Sequence, residues 1–145
     1  MTLKYKLSVV LTILFLVLFI DQATKIWAVE NLRGHSAQVY LNGLIQLVYA
    51  ENPGAFLSFG ADWSRETRFV IFAVVVFFGL GGMGWYLFKK ESSRLNLFAY
   101  SFILAGGVGN LWDRVYRVHG HVVVFLFIDI WGPLKTGVVN VADMA

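Results

Sequence analysis

Asp143 stands in the apolar run Val138-Val139-Asn140-Val141-Ala142-Asp143-Met144-Ala145, three residues after Asn140 and with no Lys or Arg close in sequence. A carboxyl in that setting is either a helix-terminal group or a buried acid poised for proton transfer. Asp21 and Lys25 have the i,i+4 spacing of a helical ion pair. Asn110, Asp113 and Arg114 form a second polar cluster, and Asn52-Pro53-Gly54 is a turn that carries an amide side chain. All of these groups lie beside or inside long apolar stretches. An ionisable side chain there costs about 2.5–3.5 kcal/mol on insertion scales, and it persists when paired or when function requires it. The structural alternatives are a plain ion pair for Asp21 and Lys25 and an interfacial anchor for Asp113 and Arg114. The chain has no cysteine, which removes thiolate nucleophiles, zinc–thiolate sites and disulfides. His35, His119 and His121 are too few and too scattered to suggest a metal centre.

The elements that must hold these residues follow from composition. Of 145 residues 58% are hydrophobic and 14% are charged, against about 25% charged in a soluble domain. Uncharged stretches alternate with short polar ones, which is the pattern of membrane spans and loops. We expect one helix over about 5–29, a second over 69–88 and a third over 95–112. Lys4 and Lys6 followed by Leu7 to Ile20 imitate a signal peptide, but no small-residue cleavage site follows and the helical character continues to Val29. Glycines 79, 81, 82, 84, 106, 107 and 109 lie on the second and third spans and predict close helix packing. A fourth helix starts at about 138. It has room for one or two turns before Ala145 where a span needs roughly 20 residues, so it is truncated in this chain. Between the first two spans, segments 38–41, 44–49 and 57–59 read as short strands separated by turns at Asn42-Gly43 and Asn52-Pro53-Gly54. They predict a small sheet within 34–64, resting on the membrane surface.

The net charge is +3. Lys4, Lys6, Lys89, Lys90 and Arg94 flank spans, so membrane topology accounts for them better than a nucleic-acid partner does. The positive-inside rule puts the amino terminus and the Lys89–Arg94 loop in the cytoplasm. Asp21, Lys25, Asn52, Asn110, Asp113 and Arg114 then share one depth at the outer membrane face.

Four motifs occur in order: Asp21-Gln22-x-Thr24-Lys25, Glu51-Asn52-x-Gly54-Ala55-Phe56, Gly106-Gly107-x-Gly109-Asn110-x-x-Asp113-Arg114 and Asn140-Val141-Ala142-Asp143. Together, over essentially the whole chain, they resemble the bacterial lipoprotein signal peptidases (signal peptidase II). The resemblance implies a single integral-membrane peptidase domain over 1–145, a four-helix transmembrane bundle with an extracytoplasmic β-cradle, in the bacterial cytoplasmic membrane. It implies an intramembrane aspartic endopeptidase that acts on lipid-modified prolipoproteins within membrane lipid, cutting before the diacylglyceryl-bearing cysteine. No cofactor or metal is implied, since the chemistry uses water alone. Asp143 is then one catalytic aspartate. Asn110, Asp113, Arg114 and Asn140 are expected to hold the dyad and the substrate backbone. Asn52 and Gly54 are expected to contact substrate, and Asp21 and Lys25 to give structural support.

One position departs from the family pattern. The second aspartate belongs to a Val-x-Asp-Phe motif, and the matching stretch here is Val122-Val123-Val124-Phe125. Valine cannot hold or transfer a proton, whereas an aspartic dyad needs one carboxylate to take a proton from water and one carboxyl to give one to the carbonyl oxygen. Asp129 lies five residues on, and strand alternation puts it on the opposite face from position 124. The expectation is therefore a peptidase site with its first acid missing. The alternative is a non-catalytic relative that binds prolipoprotein or lipid without cutting.

Overall fold

The computed structural model describes residues 1–55, 59–90, 93–131 and 134–145. Three helices are long and apolar enough to cross a membrane: α1 (Leu3–Asn31), α2 (Arg65–Lys89) and α3 (Arg94–Tyr116). Each starts at a hydroxyl cap. Thr2, Ser64 and Ser93 accept hydrogen bonds from the backbone N–H of Tyr5, Thr67 and Asn96, satisfying donors that no carbonyl inside the helix can reach. Residues Val70–Val75 of α2 form a π-type turn. The helices contact one another along narrow seams, Val10 with Leu87, Leu97 and Leu104, and Ile13 and Val17 with Ala105. Phe15, Phe19, Phe77, Phe78, Trp85 and Leu95 point away from the protein. In water such apolar exposure is unfavourable; against lipid tails it costs nothing.

Each span extends past its expected ends, and one extension matters. The third helix does not stop at Trp112 but runs one turn further to Tyr116. Asp113 and Arg114 are thus helical and buried, 0% and 9% exposed, rather than a loop-side interfacial anchor. The fourth apolar segment forms α4 over Val141–Met144.

The sheet is larger than its expected extent. β1 (Gln38–Tyr40), β2 (Ile45–Asn52), β3 (Val122–Trp131) and β4 (Leu134–Lys135) form one antiparallel sheet in the order β1-β2-β3-β4. The expected turn at Asn42-Gly43 is present, with Leu41, Asn42 and Gly43 all at positive φ. The expected strand at 57–59 lies mostly outside the described residues. The main partner of β2 comes instead from the stretch that follows the third span, where four consecutive apolar residues, Val122 to Phe125, are buried. β2 carries one extra residue between Leu47 and Ala50. Beyond this bulge Ala50 pairs with Val124 and Asn52 with Val122, so all four side chains share a face. The sheet docks on the end of α1 through Ala28, Leu32 and Phe125.

The other end of the bundle is fixed by Lys6. Its ammonium is buried and donates to the carbonyls of Leu87 (2.9 Å) and Lys90 (2.6 Å). A cation on the last carbonyls of α2 satisfies acceptors the helix leaves open. It also ties the start of α1 to the end of α2, at the end of the molecule away from the sheet.

The glycine expectation divides. A side chain at Gly79, Gly81, Gly82 or Gly84 would meet open space, so these are not packing contacts among the described residues. On α3 the close approach is real: a Cβ at Gly106 would press on the Ala142 carbonyl, and one at Gly109 would sit 3.0 Å from both Ala142 Cβ and Asp21 Oδ2.

Candidate active site

A buried ionic knot lies where α1, α3 and α4 meet. Lys25 Nζ is 2.7 Å from Asp21 Oδ2 and 3.0 Å from Asp113 Oδ2, and all three side chains are fully buried. One ammonium faces two carboxylates, an arrangement that pays its desolvation only if the remaining lone pairs are also satisfied. They are. The Gln22 amide donates to Asp21 Oδ2 (3.0 Å) and Asp113 Oδ1 (3.1 Å). The backbone N–H groups of Ala142 and Val123 donate to Asp21 Oδ1 (2.9 Å) and Asp113 Oδ2 (3.1 Å). Arg117 Nε lies 3.1 Å from Asp113 Oδ1, but off the line of a hydrogen bond.

The knot is linked to Asp143 through two asparagines. Lys25 Nζ also donates to Asn110 Oδ1 (3.3 Å), which accepts from Asn140 Nδ2 as well (3.0 Å). Those contacts fix the amide orientation, so Asn110 Nδ2 turns to Asp143 Oδ1 at 2.8 Å. Asn140 caps α4. Its side chain accepts from the Asp143 N–H (2.9 Å), and its own N–H donates to Asp143 Oδ2 (3.0 Å). Asp143 is therefore a helix-end carboxylate and, at the same time, a carboxylate held by two donors at the mouth of a cavity.

That cavity has a volume of about 490 Å³ and is walled by Asn52, Phe72, Asn110, Arg114, Val124 and Asp143, among others. Its size is in the range of roughly 300–1,000 Å³ typical of ligand sites. Arg114 clamps the Asn52-Pro53-Gly54 turn. Its guanidinium donates to the carbonyls of Pro53 (3.2 Å), Gly120 (3.1 Å) and Gly54, and lies over the Phe72 ring at 5.1 Å. Asn52 folds the turn from within, accepting from the Gly54 N–H (2.9 Å) and donating to Ala55 O (2.9 Å).

Every residue the sequence singled out for the site thus lies in this network or on the cavity. Val124 is buried and shares the cavity with Asp143. Asp129 does not line it; it stands opposite Lys135 in the β3–β4 register, and its N–H donates to Leu44 O (2.9 Å). Sequence reasoning assigned no role to Gln22, although it sits inside the first motif, nor to the backbone of Val123, whose N–H and carbonyl hold Asp113 and Asn140.

On the opposite face of β2, Glu51 accepts from the Tyr49 hydroxyl (2.6 Å) and meets His121 Nδ1 (3.1 Å). The Tyr49 hydrogen bond, helped by His121, holds Glu51 below the usual carboxylate range against a smaller opposing effect of burial. Partial burial, reinforced by Glu51, pushes the Tyr49 phenol up to about 12.

Comparison with known proteins places these features. Two solved structures of bacterial membrane enzymes share the fold, one with a TM-score of 0.78 at 24% identity over 93% of this chain and 83% of the other. The second has a TM-score of 0.77 at 22% identity over 93% and 78%. The lipoprotein signal peptidase of Chlorobaculum tepidum is 34% identical over 133 residues, 86% of this chain and 78% of that protein. That of Cupriavidus taiwanensis is 38% identical over 131 residues, 90% and 71%. Residues 13–145 match the family described as signal peptidase (SPase) II. With three helices able to span a membrane and an antiparallel sheet at one end, the chain belongs to the signal peptidase II family.

Proposed function

We propose that the cavity receives the cleavage region of a diacylglyceryl-modified prolipoprotein and that Asp143 is a catalytic aspartate of an intramembrane aspartic peptidase. In this reading the site lies at the extracytoplasmic face of the bacterial cytoplasmic membrane. On the same reading α4 belongs to a fourth span of the bundle, and the sheet forms the cradle. The lipid chains and the signal helix enter laterally from the bilayer. Asn110 and Asn140 hold Asp143, while Arg114 holds the Asn52-Gly54 turn against the substrate backbone. Asp21, Lys25 and Asp113 keep the helices in register beneath it.

The observation that carries the reading is that Asp143 and position 124 line one cavity. It also limits the chemistry. With Val124 in place, water has one carboxyl to act on it where the reaction needs two. Glu51 borders the cavity, but its carboxylate is engaged with Tyr49 and His121 on the other face of the sheet. With Val124 the protein therefore binds substrate and cuts it at no more than trace rates, which is the non-catalytic alternative in its physical form.

The test is cleavage of a diacylglyceryl-modified prolipoprotein in liposomes, followed by gel shift. Val124→Asp is expected to raise the rate by about 10²–10⁴-fold. Asp143→Asn in that background is expected to remove the gain. Robust cleavage by the Val124 protein, or no gain in a folded Val124→Asp protein, overturns the assignment.

A further inference from the structure

Arg114 also borders a second cavity, of about 90 Å³, formed between the start of α2 and the end of α3. Arg65 and Arg68 reach it from α2, and Arg114, Arg117 and His119 from α3 and the residues after it. No acidic side chain lines it among the described residues. Of the four arginines, Arg117 has an acid beside it, Asp113; Arg65, Arg68 and Arg114 have no carboxylate within ion-pair distance among the described residues. Four guanidinium groups gathered with a carboxylate beside only one of them repel one another. Backbone carbonyls hold them there: Arg65 donates to Val118 O (3.0 Å) and Arg68 to Ala61 O (2.8 Å). One nitrogen of each is thereby used, and most of the five N–H donors of each fork are left over.

We propose that this cavity binds a phosphate group, carried by a membrane phospholipid headgroup or present as the free anion. A tetrahedral oxyanion supplies the missing negative charge and enough acceptors for several forks at once, which is the chemistry that selects arginine over lysine. The space suffices: a water needs about 10–15 Å³ of such volume, so about 90 Å³ accommodates four phosphate oxygens. The depth also fits. Arg65 and Arg68 begin one span while Arg114 and Arg117 end another, at the same end of the bundle, where headgroups lie. No group around Asp143 except Arg114 takes part, so the site stands or falls apart from the proteolytic reading.

The full chain in dodecyl maltoside is titrated with dihexanoyl phosphatidylglycerol, with dihexanoylglycerol, which lacks the phosphate, and with sodium phosphate at constant ionic strength. Binding is read by native mass spectrometry and thermal shift. The phosphate-bearing lipid is expected to bind about tenfold more tightly than dihexanoylglycerol. Arg65→Gln with Arg68→Gln removes that difference, and Lys89→Gln with Lys90→Gln, at the other end of the bundle, leaves it. Competition by sodium phosphate at matching concentration assigns the site to the free anion, and a lipid that resists competition assigns it to the headgroup; both support a phosphate site. Equal binding of the two lipids, or a phosphate preference unchanged in the arginine double variant, overturns it. If the glutamine pair does not fold, Arg65→Lys with Arg68→Lys keeps the charge and loses the fork. A weaker phosphate preference in that protein supports the site, and an unchanged one overturns it.

Discussion

Lys25 holds one charge for two buried acids, so the knot is most sensitive at that side chain. Lys25→Met removes the one cation shared by Asp21 and Asp113 and leaves only Arg117, at the edge of the knot, beside Asp113. The expected loss is about 3–5 kcal/mol of stability, the range for breaking a buried pair from one side, measured by unfolding in mixed micelles. A loss under about 1 kcal/mol would mean that Gln22 and the backbone N–H groups suffice. Tyr49 gives a pH prediction. Its phenol is raised from 10.0 to about 12, so the folded protein keeps the proton longer than the unfolded chain. That contribution to stability is fully present below pH 10.0 and is lost as pH rises to about 12. Glu51→Gln is expected to lower the Tyr49 midpoint, read by phenolate absorbance against a Tyr49→Phe control; an unchanged midpoint would assign the whole effect to burial. The acids and amides of the site were legible because polar residues next to apolar spans are conspicuous. Gln22 and Lys6 were not, since a glutamine inside a helix and a lysine before one each have an ordinary surface role, and their partners lie 91 and 84 residues away.

The spans were legible in outline because a run of apolar residues long enough to cross a bilayer has few other uses. What the sequence hid was the use of their ends and faces. Asp113 and Arg114 looked like a stop signal, yet the helix carries them one turn further, into the protein. The two glycine groups looked alike and are not: one faces open space, while the other lets α4 and Asp21 come against α3. Their alanine variants should therefore differ in sign. Gly82→Ala is expected to stabilise by up to about 1 kcal/mol, the helix-propensity difference. Gly109→Ala is expected to cost about 1–3 kcal/mol, the range for overpacking. Thermal unfolding of the two proteins in one detergent checks this, and equal shifts would refute the division. The strand pairing of β2 with β3 was not legible, because two whole spans separate its partners. The bulge that turns Asn52 toward the cavity shows in no turn signal, since Tyr49 and Ala50 are ordinary strand residues.

For the molecule as a whole, the Lys6 bonds and the docking of the sheet on α1 set two opposite ends, one holding the amino terminus and Lys90, the other the candidate site. The positive-inside rule predicts that the sheet faces outward. Because the chain contains no cysteine, single cysteines report cleanly. Ser36→Cys is expected to react with an impermeant reagent added to intact cells, and Lys90→Cys only after lysis. The reverse pattern would invert the site and remove it from any secreted substrate. The bond from the Ala142 N–H to Asp21 Oδ1 spans 121 residues, and it has a bearing on biosynthesis. A ribosome delivers α1 to the membrane with Asp21 and Lys25 already paired within one turn, a neutral unit that the translocation machinery can release into lipid. Asp113 arrives much later, and Asn140 and Ala142 later still. The cavity walled by Asp143 therefore cannot take shape until the last residues of the chain have been made.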